Sequence, residues 1–136
     1  MDFELWILDL SCAITEGVRM DELVLLREML EIYSPSGREE EMGAYLVAQM
    51  RALGFRAYQD AAGNAIGVLE EGERAGPEQS RREIMLLGHM DTVEGFIPIR
   101  LQDGRLYGRG AVDAKGPLAT FILAAARVGP LPDKRI

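Results

Sequence analysis

His89, the single histidine of this 136-residue sequence, stands two positions before Asp91 in the segment GHMDT, Gly88 to Thr92. In extended backbone, residues two apart project to the same side, so the Asp91 carboxylate could hold one imidazole nitrogen. The other nitrogen is then fixed as an acceptor for a metal, and a carboxylate in that position sets the tautomer and raises the basicity of the ligand. A second Gly-rich segment, GRGAVDAKG from Gly108 to Gly116, places Asp113 at the opening of an expected helix. A carboxylate there can cap the helix or ligate a metal. Each feature alone has a bland reading, because a sole histidine is usually structural and an Asp before a helix more often caps than ligates. The two segments together, each with glycines that let backbone approach closely, point to a site. Mixed imidazole and carboxylate donors suit Zn, Co or Mn better than Mg or a thiolate-seeking metal.

The elements that must position these residues follow from periodicity. Leu23, Leu26, Met29, Leu30 and Ile32 recur at helical spacing and predict a helix over about 21–33. SPSG then breaks it, and Ser36 with Glu39 forms a capping-box pattern for a second helix, with Glu40 and Glu41 at its positive end. Met42, Tyr45, Leu46, Met50 and Leu53 carry that helix's apolar stripe, and Gly54 is placed to end it. FRAYQD and AIGVLE around AAGN predict two strands, followed by a solvated loop over 71–82. The run IMLL before Gly88 suits a strand buried on both faces, which would put His89 at a carboxyl end where open α/β sheets gather ligands. IPIRL and RLYG flank Gln102, Asp103 and Gly104 as a hairpin. Pro117 at a first helical position, and Gly129 with Pro130 at the exit, frame a last, largely apolar helix. Helices alternating with apolar strands predict an α/β layered fold.

Composition bounds the function classes. A net charge of -7 argues against a phosphate-backbone binder, so no nucleic-acid partner is expected. No apolar run reaches the roughly 18 residues of a membrane span, and the acidic N terminus lacks the basic start of a secretory signal. The reading is therefore a soluble, cytoplasmic protein. Cys12, the sole cysteine, cannot form an internal disulfide and reads as a buried or incidental thiol. GRGAVDAKGP superficially suggests a phosphate loop but fails on spacing: Lys115 follows Ala114 rather than Gly, and Gly116 stands where Ser or Thr is needed.

SPSG with its acidic run, DAAGNAIG, GHMDTV and GRGAVDAKGPLA occur here in an order that resembles the dinuclear zinc hydrolases that include aminoacylase, acetylornithine deacetylase and succinyl-diaminopimelate desuccinylase. The resemblance covers Met20 to the end and implies the N-terminal portion of a three-layer catalytic domain, a mixed sheet flanked by helices. Residues 1–19 would then be an extension of doubtful structural role. It implies His89 as a ligand of one metal, Asp91 as the catalytic residue orienting it, Asp113 as a bridge between two zinc or cobalt ions, and a cis peptide after Asp113. GFIPIRLQDGRLYGRGAVDAKGPL is most similar to the branch that releases lysine or ornithine from an amino-group carrier protein, also described as acetyl-lysine deacetylase. The implied reaction is metal-dependent amide hydrolysis in lysine and arginine biosynthesis, on a carrier-linked or small N-acylated amino acid, by a protein that is a homodimer at full length.

The sequence also departs from that pattern. Members of the family are two to three times longer, and the general base and further ligands are expected beyond Ile136, so the chain alone is expected to be an inactive fragment. A truncated, non-catalytic copy is one alternative, and another N-acyl amino acid deacylase or desuccinylase of the same family is a second. Arg100, Arg105, Arg109 and Lys115 could form a basic rim for an acidic carrier, or simply be solvated surface.

Overall fold

The computed structural model describes residues 8–9, 16–72 and 82–136, with side chains described from Leu23 onward. Cys12 and the apolar Phe3, Trp6 and Leu10 of the N-terminal extension lie outside the described side chains. The elements, in chain order, are β1 (Leu8–Asp9), α1 (Glu16–Glu31), α2 (Glu40–Ala52), β2 (Arg56–Gln59), β3 (Ala65–Val68), β4 (Arg82–Glu83), β5 (Arg100–Gln102), β6 (Arg105–Tyr107), α3 (Lys115–Val128) and β7 (Lys134–Arg135). The class is α/β, as expected. None of the described helices is long and apolar enough to cross a membrane. The chain divides into two compact units, one of residues 1–42 and 88–120, the other of 43–87 and 121–136.

The first unit holds α1 and the sheet β1-β6-β5, all antiparallel. β5 and β6 are joined by Asp103 and Gly104, both with positive φ (52° and 73°), the two-residue turn whose twist matches a hairpin. Leu25, Leu26, Met29 and Leu30 bury one stripe of α1, and Leu106 of β6 is buried as well. Gly108 follows β6 at a place where a Cβ would stand 2.9 Å from the Leu30 side chain, so glycine there permits the close approach.

In the second unit, α2 ends in a Schellman arrangement: Phe55 N–H donates to Met50 O and Gly54 N–H to Arg51 O, both at 3.0 Å, with Gly54 at φ 92°. β2 and β3 pair antiparallel as predicted. Their connecting turn is organised by Asp60, whose carboxylate accepts from the Ala62 and Asn64 amides and the Asn64 side chain, each at 2.9 Å. These bonds hold the Asp60 pKa below its ordinary value. β7 pairs parallel with β4, and a bridge between Glu70 and Arg135 ties it to the end of β3. Arg135 reinforces that bridge with ion pairs to Glu70 at 3.4 Å and Glu83 at 2.7 Å. Leu46, Val47, Met50, Phe55, Ala57, Leu69, Ile122, Leu123 and Ala125 form this unit's buried set.

Four sequence expectations are corrected. Ile84 to Leu87 is not a buried strand: β4 stops at Glu83, and Met85 and Leu87 are 70% and 76% exposed. A strand buried on both faces needs neighbours, and among the described residues only the Ile84 N–H is paired, to Arg135 O at 2.8 Å. α3 begins at Lys115, so Pro117 is its third residue. The capping box does not form, for Glu39 accepts the Gly37 amide at 2.6 Å while the Ser36 hydroxyl turns elsewhere. Finally, Lys115 is neither rim nor surface. It is 1% exposed, and its amine donates to the Met29 and Ile32 carbonyls at 2.9 and 2.7 Å.

That lysine, the first residue of α3, is a C-terminal cap for α1 delivered from a distant part of the sequence. The last carbonyls of a helix lack intrahelical partners and carry partial negative charge, which a buried ammonium satisfies. Burial nevertheless pushes its pKa down from 10.5 to about 8. The native amine releases its proton before the unfolded one does, so this group's contribution to stability rises with pH between those two values. Replacing Lys115 with Met keeps much of the stem but strands both carbonyls. The expected loss is on the order of 2 to 3 kcal/mol in urea denaturation, and wild-type stability in Lys115→Met would refute the anchoring role.

Candidate metal centre

The site is assembled from three loops of the first unit rather than from a sheet edge. The SPSG loop after α1 lies along GHMDT through a parallel bridge between Pro35 and Thr92. Thr92 N–H donates to Ser34 O at 2.8 Å, Ser36 N–H to Thr92 O at 3.3 Å, and the buried Ser34 hydroxyl to Met90 O at 2.8 Å. The third loop, Gly108 to Ala114, reaches the second through Gly110. A Cβ on Gly110 (φ 89°) would stand 2.9 Å from the Thr92 methyl and 3.1 Å from the Lys115 stem. Gly88 fits similarly, with Leu118 of α3 3.2 Å from where a Cβ would be. Those contacts give a physical reason for glycine in both segments.

On this frame His89, Asp91 and Asp113 come together. His89 Nδ1 is 3.0 Å from Asp91 Oδ1 and 3.1 Å from the Asp91 carbonyl oxygen. His89 Nε2 is 3.0 Å from Asp113 Oδ1. The ring is half exposed and the Asp113 side chain is 86% exposed, so the pair opens to solvent. Asp113 is directed at His89 rather than at the first turn of α3, and the Asp113–Ala114 peptide is cis. The Ser36 hydroxyl donates to Asp91 Oδ2 at 2.5 Å instead of capping α2. Arg100 and Arg109 are not part of this cluster: Arg100 stacks on Tyr107 at 4.5 Å, and Arg109 donates to Gly95 O at 3.4 Å.

A neutral imidazole carries one N–H. With Nδ1 donating to Asp91, the Nε2 lone pair faces a carboxylate oxygen at 3.0 Å, an unfavourable contact unless a cation stands between them. That cation is either a second proton or a metal. Partial burial pulls the His89 pKa down, but the bonds to Asp113 and Asp91 and the Asp113 charge outweigh it, leaving the pKa raised above 6.5. The Asp91 pKa is lowered, chiefly by the Ser36 hydroxyl, against partial desolvation and with help from His89.

The donor set fits a metal in part. Two atoms bound to one zinc-like ion at about 2.0 to 2.2 Å lie about 3 to 3.5 Å apart. The 3.0 Å between Nε2 and Oδ1 therefore matches one edge of such a shell. Among the described residues, however, no group of three or more His, Cys, Asp or Glu side chains is placed to hold an ion.

Because His89 is the only histidine, its ring can be followed without assignment ambiguity. The raised pKa contributes stability that is fully present below about 6.5 and is lost as pH rises through the native value. NMR titration of the metal-free chain is expected to place His89 above 6.5, with Asp113→Asn lowering it. A wild-type value at or below 6.5 would remove the clamp between two carboxylates.

Comparison with known proteins is consistent with this chemistry. A profile for peptidase family M20/M25/M40 matches residues 85–134, which contain His89, Asp91 and Asp113. A provisionally named LysW-lysine/LysW-ornithine hydrolase of Thermococcus kodakarensis is 50% identical over 104 residues, 76% of this chain and 28% of that protein. The LysW-lysine hydrolase of Deinococcus radiodurans is 46% identical over 107 residues, 78% of this chain and 27% of that protein. The LysW-lysine/LysW-ornithine hydrolase of Sulfurisphaera tokodaii is 36% identical over 100 residues, 74% of this chain and 25% of that protein. The matched segment thus spans about a quarter of each relative's length. By these matches the sequence is similar to peptidase family M20/M25/M40 over residues 85–134 and, over about three quarters of its own length, to proteins named as LysW-lysine and LysW-ornithine hydrolases.

Proposed function

We propose that this chain is the N-terminal portion of the catalytic domain of a metal-dependent amide hydrolase, carried by residues 20–136, and that the complete protein releases lysine or ornithine from a LysW-type carrier in the cytoplasm. The observation that carries the reading is the His89 ring held between two carboxylates, with Nε2 and Asp113 Oδ1 spaced as adjacent ligands. The names of the relatives supply the substrate class. Each chain residue has a distinct task. Asp91 accepts the Nδ1 proton, which keeps Nε2 unprotonated and aimed at Asp113. His89 offers that nitrogen and Asp113 its carboxylate, a mixed set suited to zinc or cobalt, with two ions in the complete site. When bound, such ions polarise an amide carbonyl and bring a water's pKa toward neutrality. Since His89 must lose a proton to accept a metal, affinity should fall as pH drops through its raised pKa.

The incomplete donor set favours a second reading for the 136 residues taken alone, a weak metal binder without turnover. The two are separated by assay. The complete protein with zinc or cobalt is expected to hydrolyse carrier-linked lysine or ornithine in preference to their simple N-acetyl analogues. His89→Ala should lower kcat/KM by more than about a hundredfold, given that even residues that only orient metal ligands are commonly worth 10- to 100-fold. The 136-residue chain should show no hydrolysis. Turnover by the complete protein that survives both chelation and His89→Ala would reject the metal reading, and a preference for the N-acetyl compounds would reassign the substrate.

A further inference from the structure

We infer that Ser36 is a positioning residue for the metal-ligating histidine, acting through Asp91. The inference deepens the proposed metal-site reading, and its role for the histidine rests on that reading. A carboxylate that contacts a histidine through one oxygen can still turn about its own axis and exchange oxygens, or swing away. Asp91 has that freedom removed: Oδ1 meets His89 at 3.0 Å while Oδ2 accepts the Ser36 hydroxyl at 2.5 Å. Ser36 is itself fixed, because its amide donates to Thr92 O and the neighbouring Thr92 amide donates to Ser34 O. The carboxylate is thus clamped between the ring and a hydroxyl whose backbone is stitched to the same loop that carries Asp91.

Two observations make this more than local packing. Ser36 is exposed, so burial alone does not require its hydroxyl to find a protein partner. Its Ser-x-x-Glu pattern suits a helix cap, yet α2 begins at Glu40 and the hydroxyl donates to Asp91, 55 residues away. An Asp91 held at both oxygens favours the Nδ1–H tautomer, leaving Nε2 free for a cation shared with Asp113. Ser34, by contrast, bonds a main-chain carbonyl and acts on the loop alone.

The test uses the two ring nitrogens of His89, observed by NMR in the metal-free 136-residue chain at a pH where the ring is neutral. In the wild type the two nitrogen shifts should be widely separated, the signature of one tautomer. Ser36→Ala should draw them toward each other as the second tautomer gains population, and Ser36→Thr, which keeps the hydroxyl, should restore the separation. Backbone amide spectra report whether each variant keeps the wild-type fold, and the exposure of Ser36 favours that. Zinc affinity of the same variants should follow, with Ser36→Ala weaker by about tenfold or more and Ser36→Thr close to wild type. Unchanged nitrogen shifts in a folded Ser36→Ala variant would overturn the proposal, as would a Ser36→Thr variant that behaves like Ser36→Ala. Failure of the wild type to bind zinc would instead defeat the metal reading while leaving the nitrogen shifts to decide the role of Ser36 toward Asp91.

Discussion

An imidazole ring flanked by two carboxylates cannot satisfy both with the single proton of its neutral form. His89 is in that position, and the surrounding loops can be understood as the means of keeping it there. If Asp91 were free to turn, the ring could surrender one contact and relax. If Asp113 had been spent on capping α3, the ring would meet only one carboxylate. The local architecture denies the first escape with a hydroxyl on the far oxygen of Asp91, and the second by starting α3 at Lys115, with Asp113 just ahead of the helix and turned toward His89. The result is a place where positive charge is favoured and can be supplied by a proton or by a metal.

The support for that place is unusual in being nearly all loop. Backbone bonds join SPSG to GHMDT, glycines at 88 and 110 let main chain approach side chains that any Cβ would meet, and Lys115 fastens the third loop to the end of α1. Each support is short in space but long in sequence. Geometry is therefore conferred by a few long-range contacts rather than by the regular elements. A loop-built site of this kind depends on every stitch, because no ladder of backbone bonds stands ready to compensate for one that is lost.

What could be read from the sequence follows the same division. The turn at Asp103 and Gly104, the end of α2 at Gly54 and the β2–β3 turn at Asp60 were legible because each rests on local conformational chemistry, written within a few residues. The convergence of His89 with Asp91 was legible for the same reason, since alternation along extended backbone places them side by side. Ser36 was misread because a capping pattern is also local, and nothing nearby announces a competing acceptor on Asp91. Lys115 was misread because a lysine is buried only where distant carbonyls await it, and those belong to α1. Ile84 to Leu87 was misread as a core strand because composition states what a segment would bury, not whether neighbours are present to cover it.

That uncovered segment has a consequence for how the polypeptide behaves in company. Ile84, Met85, Leu86 and Leu87 form a short run without charge or proline, all exposed, and Phe96 beyond the site loop is 79% exposed as well. Unpaired backbone beside apolar side chains is a template on which further extended chain can assemble, and such windows are the usual seeds of self-association. The same four residues would be silent inside a larger sheet. The net charge of -7 opposes contact between copies through such a strip only over the short range that salt leaves unscreened.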